Sequence, residues 1–543
     1  MGLFGACGYM KTYHRKTAFS ISVLVIGFLI GGCGEPVEKT ETPKMDLGTT
    51  IGSLTDAFAP ESILVEGYGL AGGLRGTGSA ECPPDIRAYL KRYILTQLAE
   101  STVDIEKLIS SLDTAVVAVR GIMPAAVTKN QYFDLKVEAL RGTQTTSLEG
   151  GWLYRAELKT AGSFGIDLRA LATAEGAVFI DTIEAGGTDK KAGYILAGGT
   201  VLDEYKAHLA LRRPNYRIAN AIRNRLNNRF PPDTARAFSP SLIELNVPAK
   251  YGEQKQRFIS IVNAMYLSET AEVTEKRIDR FVRELADSED KDASEAALEA
   301  IGNKCLRKLS NLVNSSNEEV RLRAARCMLN LGSDVGLEAL REIAMDKDSA
   351  YRMEALEAIT AGASRNDAAS VSRSLLREAS FDIRLAAYAQ LRKLEDITIT
   401  QELIGGNFYL EQIVRTREKA IFVSRSGQPR IVLFGAPLYC RDNIFVESSD
   451  GNIIIDSSSG QEDVWLIRKV PKRPDIPPIK LKSSLKLSDI IRTLCKEAVV
   501  EEGTHSRPGL NVTYAEGIAL LKQMCEKGAV EAQFRAGPLP KID

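Results

Sequence analysis

The hydrophobic pattern changes period several times along the chain. From residue 61 to 270, short apolar runs alternate with polar positions and turn residues, the period-two signature of half-buried strands. The clearest are Ala115–Val119, Asp134–Ala139 and Leu242–Val247. One stretch switches to helical spacing. Ile218, Ala219, Ile222, Leu226 and Phe230 share a face of a helix predicted from Tyr216 to Phe230, and Pro231-Pro232 stops it. Residues 61–270 are therefore expected to form an α+β domain. Between 271 and 400 glycine and proline thin out, charge rises and helical periodicity takes over. Residues 411–470 return to strands. Turns at Arg425-Ser426-Gly427-Gln428 and Ser449-Asp450-Gly451-Asn452 join Ala420–Ser424 to Arg430–Phe434 and Asn443–Glu447 to Ile453–Asp456, a small β-hairpin block. Four prolines between Val470 and Lys480 predict an extended linker over 471–483. The C-terminal segment, 484–543, reads as helical, with Leu487–Cys495 and Tyr514–Glu526 as its elements.

The helical stretch repeats itself. Val320-Arg321-Leu322-Arg323-Ala324-Ala325-Arg326 is echoed by Tyr351-Arg352-Met353-Glu354-Ala355-Leu356-Glu357 and by Ile383-Arg384-Leu385-Ala386-Ala387-Tyr388-Ala389. A period of roughly thirty residues is that of a helix pair, and the segment 281–400 resembles a HEAT-like solenoid inserted between the strand-rich blocks. Acids interleave with the basic residues of these helices, so the arginines read as a solvated face and not a phosphate track. Arrays of this kind usually bind other proteins, and a spacer is the alternative for only three repeats.

Charge and cysteine content narrow the classes further. The 543 residues suffice for three or four domains. Lys plus Arg (70) equals Asp plus Glu (70), so no basic field points to nucleic acid. Residues 1–33 read as a signal peptide: Lys11, Arg15 and Lys16 precede an apolar run from Ala18 to Ile30, which ends in Ile30-Gly31-Gly32-Cys33. That ending resembles a bacterial lipobox, which implies lipid attachment at Cys33. Gly34 after it favours the outer membrane by the usual sorting pattern. Polar residues 34–60 would then be a flexible tether. Six cysteines follow Cys33 with no C-x-x-C pair, so no zinc or iron–sulfur site is expected. Cys495 and Cys525, in neighbouring predicted helices, are the first candidates for a disulfide; buried free thiols are the alternative.

The segment Gly67-Tyr68-Gly69-Leu70-Ala71-Gly72-Gly73-Leu74-Arg75-Gly76-Thr77-Gly78 packs six glycines into twelve residues. Glycine serves where backbone takes positive φ or lies close to other backbone. The spacing fits the dinucleotide pattern G-x-G-x-x-G, but Gly73 to Gly78 cannot open the required helix, and neither Glu81 nor Asp104 lies where a ribose carboxylate belongs. His208 sits in a strand-like stretch and His505 in a polar loop, neither near a nucleophile motif. Trp152 and Trp465 read as core or interface aromatics. No catalytic residue, cofactor or metal site is expected, and the chain is not read as an enzyme.

Several segments, in order, resemble the bacterial flagellar P-ring protein family. They are Gly67 to Ser79, the strand Ala115–Val119 with Pro124 beyond it, Phe133–Val137, Thr146–Gly151, Leu209–Tyr216 with Ile218–Ile222, Thr234–Ala237, and Ile243–Pro248. Leu487–Ile491 and Ala519–Val530 resemble the family's C-terminal helices. The likeness covers 61–270 and about 484–535, with the HEAT-like array and hairpin block inserted. It implies a structural subunit of a homo-oligomeric ring around the flagellar rod in the periplasm, beside peptidoglycan, supporting motility. On that reading Gly67, Tyr68, Gly69, Leu70, Gly73, Leu74, Gly76, Thr77 and Gly78 form an assembly motif. Its partners would be copies of itself, rod and other basal-body proteins, and a membrane through the N-terminal lipid. The alternative is an envelope lipoprotein adaptor that binds a protein through its repeats.

Overall fold

The structure is a computed structural model that describes residues 47–58, 62–97, 104–125, 127–162, 169–183, 189–203, 206–469, 477–497 and 509–542. The signal-peptide segment with Cys33, and His505, lie outside these residues. The first region contains α1 (Ile51–Leu54), β1 (Thr55–Phe58), β2 (Ile63–Gly72), α2 (Pro84–Gln97), α3 (Ile105–Ile109), β3 (Thr114–Met123), β4 (Tyr132–Ala139), β5 (Trp152–Thr160), β6 (Ala172–Ala177), β7 (Ala192–Val201), β8 (Ala207–Leu211), α4 (Tyr216–Arg229), β9 (Ala235–Ala237), β10 (Leu242–Leu245) and α5 (Lys255–Ala264). Six of its strands close an antiparallel barrel in the order β2-β3-β4-β7-β6-β5. Alternation drives the closure: Ala115, Val117 and Val119 of β3 turn inward with Val65, Leu135, Val137, Leu153, Leu158 and Ile195. Val116 turns outward with Leu70, and both are covered by Tyr89 and Leu90 of α2 and Ile109 of α3.

A second, four-stranded antiparallel sheet, β1-β8-β10-β9, is backed by α4 and α5. Asn215 starts α4 as its spacing predicts, its Oδ1 accepting from the amides of Arg217 and Ile218. The expected tether over 34–60 is too long: Thr50 caps α1, Ile51 is fully buried, and Thr55–Phe58 pairs with β8. A polar composition hid one buried isoleucine and a strand whose partner lies far along the chain.

The helical array comprises α6 (Ala271–Asp287), α7 (Asp292–Ile301), α8 (Leu306–Leu309), α9 (Glu318–Asn330), α10 (Asp334–Met345), α11 (Arg352–Gly362), α12 (Arg365–Leu375) and α13 (Phe381–Lys393). Its first helices share a core of Ile278, Leu285, Leu298, Cys305, Leu309, Ala324, Cys327 and Met328. Later ones pack through Leu322, Leu340, Ile343, Leu356, Ile359, Leu375 and Leu391. The repeat arginine is not on a solvated face. Arg321 donates to the Ser315 carbonyl (2.9 Å), Arg352 to Ala344 (3.0 Å) and Arg384 to Glu378 and Ala379 (both 2.8 Å). In each repeat it satisfies carbonyls at the end of the preceding segment, and Arg384 is fully buried in doing so.

The remainder contains β11 (Ile399–Ile404), β12 (Phe408–Ile413), β13 (Ala420–Val423), β14 (Arg430–Phe434), β15 (Ile444–Glu447), β16 (Ile453–Ser457), β17 (Asp463–Arg468), β18 (Ile479–Ser484), α14 (Leu487–Cys495), α15 (Tyr514–Glu526) and β19 (Gln533–Ala536). The sheet β11-β12-β14-β13-β19 is covered on both faces. Ala420, Val432 and Phe434 pack on the last helices of the array. Leu410, Ile421 and Leu433 pack toward α14 and α15. The hairpin block and the C-terminal segment are therefore one core, not two units. The expected linker also shrinks, because Ile479–Ser484 is β18, paired along its length with β17. Two prolines directly before a strand suggested a continuous linker where the chain had already re-entered a sheet.

All six cysteines of the described residues are free thiols, so the proposed Cys495–Cys525 pair is not present. Cys495 Sγ lies against Gly517, 3.3 Å from where a β-carbon would stand, at the start of α15. Cys525 sits at the other end of that helix, about two turns or 12 Å further on, beyond disulfide reach.

Candidate functional site

The glycine segment occupies a tight position inside its own chain. A β-carbon on Gly67 would stand 2.2 Å from the Glu157 carbonyl oxygen, and one on Gly78 2.0 Å from that of Thr114. One on Gly69 would meet Leu153 at 2.8 Å. Gly73 and Gly76 take φ of +79° and +85° to turn the chain out of β2. Thr77 then crosslinks two segments: its hydroxyl reaches the carbonyls of Leu74 and Ser147, both at 2.8 Å, and its own carbonyl accepts from the Thr146 amide at 2.9 Å. Leu70 and Leu74 are buried, and Leu74 Cδ2 lies 2.7 Å from where Gly151 would carry a β-carbon. Two segments that looked separate in the sequence, Gly76–Ser79 and Thr146–Gly151, thus form one knot that closes β2 against β5. The close backbone approach that so many glycines imply is met here within the chain itself.

A second concentration of chemistry lies where α5 meets the array. Ala-rich α7 places Glu295 and Glu299 one turn apart on its buried face. Arg257 of α5 donates to both, at 2.8 Å to Glu295 and 3.0 Å to Glu299. From α9, Arg326 forks onto Glu295 at 2.7 and 2.6 Å, and Arg323 adds a contact at 3.2 Å. Tyr251 donates to Glu299 at 3.0 Å. Burial pushes the Glu295 carboxyl up, but Arg257 and Arg326 overcome that and hold it at about 2. Burial, with the Glu299 charge beside it, pushes the Tyr251 hydroxyl well above its usual range.

Two further seams join the later regions. At the far end of the array, fully buried Glu411 of β12 accepts from Tyr388 Oη at 2.5 Å and Arg392 Nε at 3.1 Å. At the barrel, Asp134 of β4 accepts the Gly427 amide at 2.8 Å and the Ala197 amide at 2.7 Å, while Arg425 pairs with Asp181 at 2.9 Å. Burial raises the Asp134 carboxyl, and those two amides pull it back.

Residues 52–278 match the family model described as flagellar P-ring protein, and 278–360 match HEAT repeats. The region 52–278 is a P-ring-type domain. Relatives named flagellar P-ring protein include that of Thermotoga maritima, 28% identical over 216 residues, 36% of this chain and 60% of the relative. That of Desulfotalea psychrophila is 26% identical over 220 residues (37% and 53%), and that of Aeromonas hydrophila 26% over 215 (36% and 56%). The chain thus spans little more than half the length of these relatives. The boundary between the two matches falls inside α6, and the Arg257–Glu295–Glu299 cluster bridges the P-ring-type domain to the repeats.

Other residues singled out in the sequence are dispersed. His208 lies on β8 opposite Phe58 and Glu244. Trp152 and Trp465 are 42% and 36% exposed, so neither is a core residue, and Lys482 sits 4.9 Å over the Trp465 ring. A cavity of about 260 Å³ between the P-ring-type barrel and α15 is lined by Glu149, Lys190, Asp450, Glu516 and Gln523 among others. Among the described residues no cluster of three or more His, Cys, Asp or Glu side chains is arranged to hold a metal. Among them, too, no helix is long and apolar enough to cross a membrane.

Glu295, Glu299 and Arg257 carry almost no signature in the sequence. The available signal was weak: two glutamates at i and i+4 within an alanine-rich helix, where a solvated helix usually carries a counter-charge on the same face.

Proposed function

We propose that this chain is a structural subunit of a flagellar P-ring-like assembly in the periplasm. Copies of the P-ring-type domain pack around the rod, tethered to the outer membrane by lipid at Cys33, with peptidoglycan and other basal-body proteins as neighbours. It makes or breaks no covalent bond in a substrate. The observation that carries this reading is the match of 52–278 to the P-ring family, over a region in which the glycine segment ties one continuous barrel.

The HEAT repeats give the subunit a second role. Welded to the P-ring-type domain by buried charges, they move with it as one part and hold a protein-binding surface at a fixed angle to the ring. The HEAT match also favours a second reading, an envelope adaptor that forms no ring. Electron microscopy of the full-length chain extracted in detergent separates the two. Closed annuli that incorporate this chain support the first, whereas uniformly monomeric particles at every concentration overturn it. Loss of swimming in a deletion strain, restored by the wild-type chain, would place the annulus in the flagellum.

A further inference from the structure

The sheet β1-β8-β10-β9 is backed by helices on one side. Ala207, Leu209, Ile243 and Leu245 turn toward α4 and α5. The alternate positions, Phe58, His208, Leu242, Glu244 and Arg236, share the other side, where Phe58 and Leu242 are exposed together with Phe238 just beyond β9. After β8, the Asn215 amide donates to the Pro240 carbonyl at 2.8 Å, which brings Arg213, exposed Tyr216 and Arg217 to the rim of the sheet. Some of the charge here is answered locally: Arg212 holds Asp56 at 2.9 Å, and Lys206 holds Glu244 at 2.7 Å. Arg213, Arg217 and Arg236 have no acid within ion-pair distance among the described residues, and Arg236 lies 5.1 Å over the Phe238 ring.

The turn from α6 to α7 is the reverse. Asp287, Glu289 and Asp290 are exposed and have no cation within ion-pair distance among the described residues. The nearby cations are occupied: Lys291 faces Glu319 at 3.7 Å, Arg323 pairs with Asp292, and Arg283 donates to the Asp279 carbonyl at 3.1 Å. Ala286 and Ala293 flank the turn, so no long side chain there keeps a partner surface away. We propose that the open side of the sheet docks the α6–α7 turn of a second copy of this chain, in a head-to-tail contact that repeats from copy to copy.

Charge complementarity selects this occupant. Three arginines left over on one surface meet three acids left over on the other, and the exposed aromatic rings beside the arginines supply contact area that water covers in the single chain. The two surfaces also stand in a fixed relation. α4 and α7 meet near their C-terminal ends, where Arg229 donates to the Glu299 carbonyl at 2.9 Å. The rim at the start of α4 lies about 20 Å from that junction and the turn before α7 about 13 Å. The buried charges among α5, α7 and α9 hold the junction rigid, so every copy presents its donor and acceptor surfaces at the same angle. A contact of two unlike surfaces at a constant angle is what closing a ring requires. The proposal rests on the reading that copies of this chain assemble, and it adds that the helical array takes part in the joint.

The test is sedimentation of the full chain in detergent, with two triple variants. One carries Arg213→Glu, Arg217→Glu and Arg236→Glu; the other carries Asp287→Lys, Glu289→Lys and Asp290→Lys. Each alone should self-associate at least about tenfold more weakly than the wild type. Mixed in equal amounts they should recover association, because the reversed sheet of one then fits the reversed turn of the other. Wild-type association should also weaken between about 0.05 and 0.5 M salt. Association that neither variant weakens, or that mixing does not recover, overturns the contact and leaves the ring reading standing. Salt-insensitive wild-type association overturns it even if a variant fails to fold. A wild type that stays monomeric at every concentration overturns both. Recovery on mixing without closed annuli of the wild type sustains the contact and removes the ring.

Discussion

The barrel and the charged seam hold this chain together by opposite means. The barrel is closed by what is missing: glycines at 67, 69 and 78 leave room for carbonyls and side chains of neighbouring strands, and every strand has its partners within 63–201. The seam is closed by what is added. Three arginines and two glutamates from α5, α7 and α9 are taken out of water together, and removing one leaves the rest uncompensated. A self-contained barrel can be kept while other parts of the chain change. A buried ionic seam fixes one arrangement of two regions, and such a contact is what holding a helical array to a neighbouring domain requires.

The comparison can be broken first at the barrel. Gly78→Ala should be the most damaging change, because its β-carbon meets two backbone carbonyls, Thr114 at 2.0 Å and Leu112 at 2.7 Å, and neither can swing away. A loss of about 4–5 kcal/mol or failure to fold is expected in urea unfolding. Gly76→Ala is its control. With φ of +85° and open space around it, this change should cost only about 1–2 kcal/mol of backbone strain.

Glu295→Gln breaks the seam instead, and should cost about 3–5 kcal/mol by leaving Arg257 and Arg326 short of a counter-charge. Its pH dependence has a definite sign. The Glu295 carboxyl is held at about 2 in the folded chain against an ordinary 4.5, so its contribution is complete above that ordinary value. The stability difference between wild type and Glu295→Gln should stay constant above about pH 5 and shrink as pH falls toward 2. A difference that persists unchanged at the acid end would contradict the ionic account.

Tyr388→Phe should be milder, about 1–3 kcal/mol in the same unfolding measurement. It removes one of the donors to buried Glu411 and leaves Arg392 in place. The smallest effect belongs to Lys276→Ala. This residue pairs with Glu272 on the open face of α6, and its loss should leave the urea midpoint essentially unchanged.

What could be read from the sequence follows the same division. Periodicity and caps are local, so the helices at Tyr216, Leu487 and Tyr514 and the hairpins around Gly427 and Gly451 were legible within a residue or so. The glycine segment was legible as close-packed backbone, but its partners, Glu157 and Thr114, lie on other strands, so an intrachain role could not be told from an assembly surface. The parallel pairing of β19 with β13 joins residues more than a hundred positions apart and carries no local signature. Glu295, Glu299, Arg352 and Arg384 were the least legible. A charged residue on a helix ordinarily faces water, and only the packing of a third element shows that it does not.

The most direct test of this division is amide hydrogen exchange on the full chain with and without Glu295→Gln. The account predicts that the substitution lowers protection together in α5, α7 and α9, the three helices that supply the seam, while β2 and β3 keep their wild-type protection. If α5 stays as protected as in the wild type while α7 and α9 alone loosen, the seam does not bind the P-ring-type domain to the repeats, and the central claim is wrong.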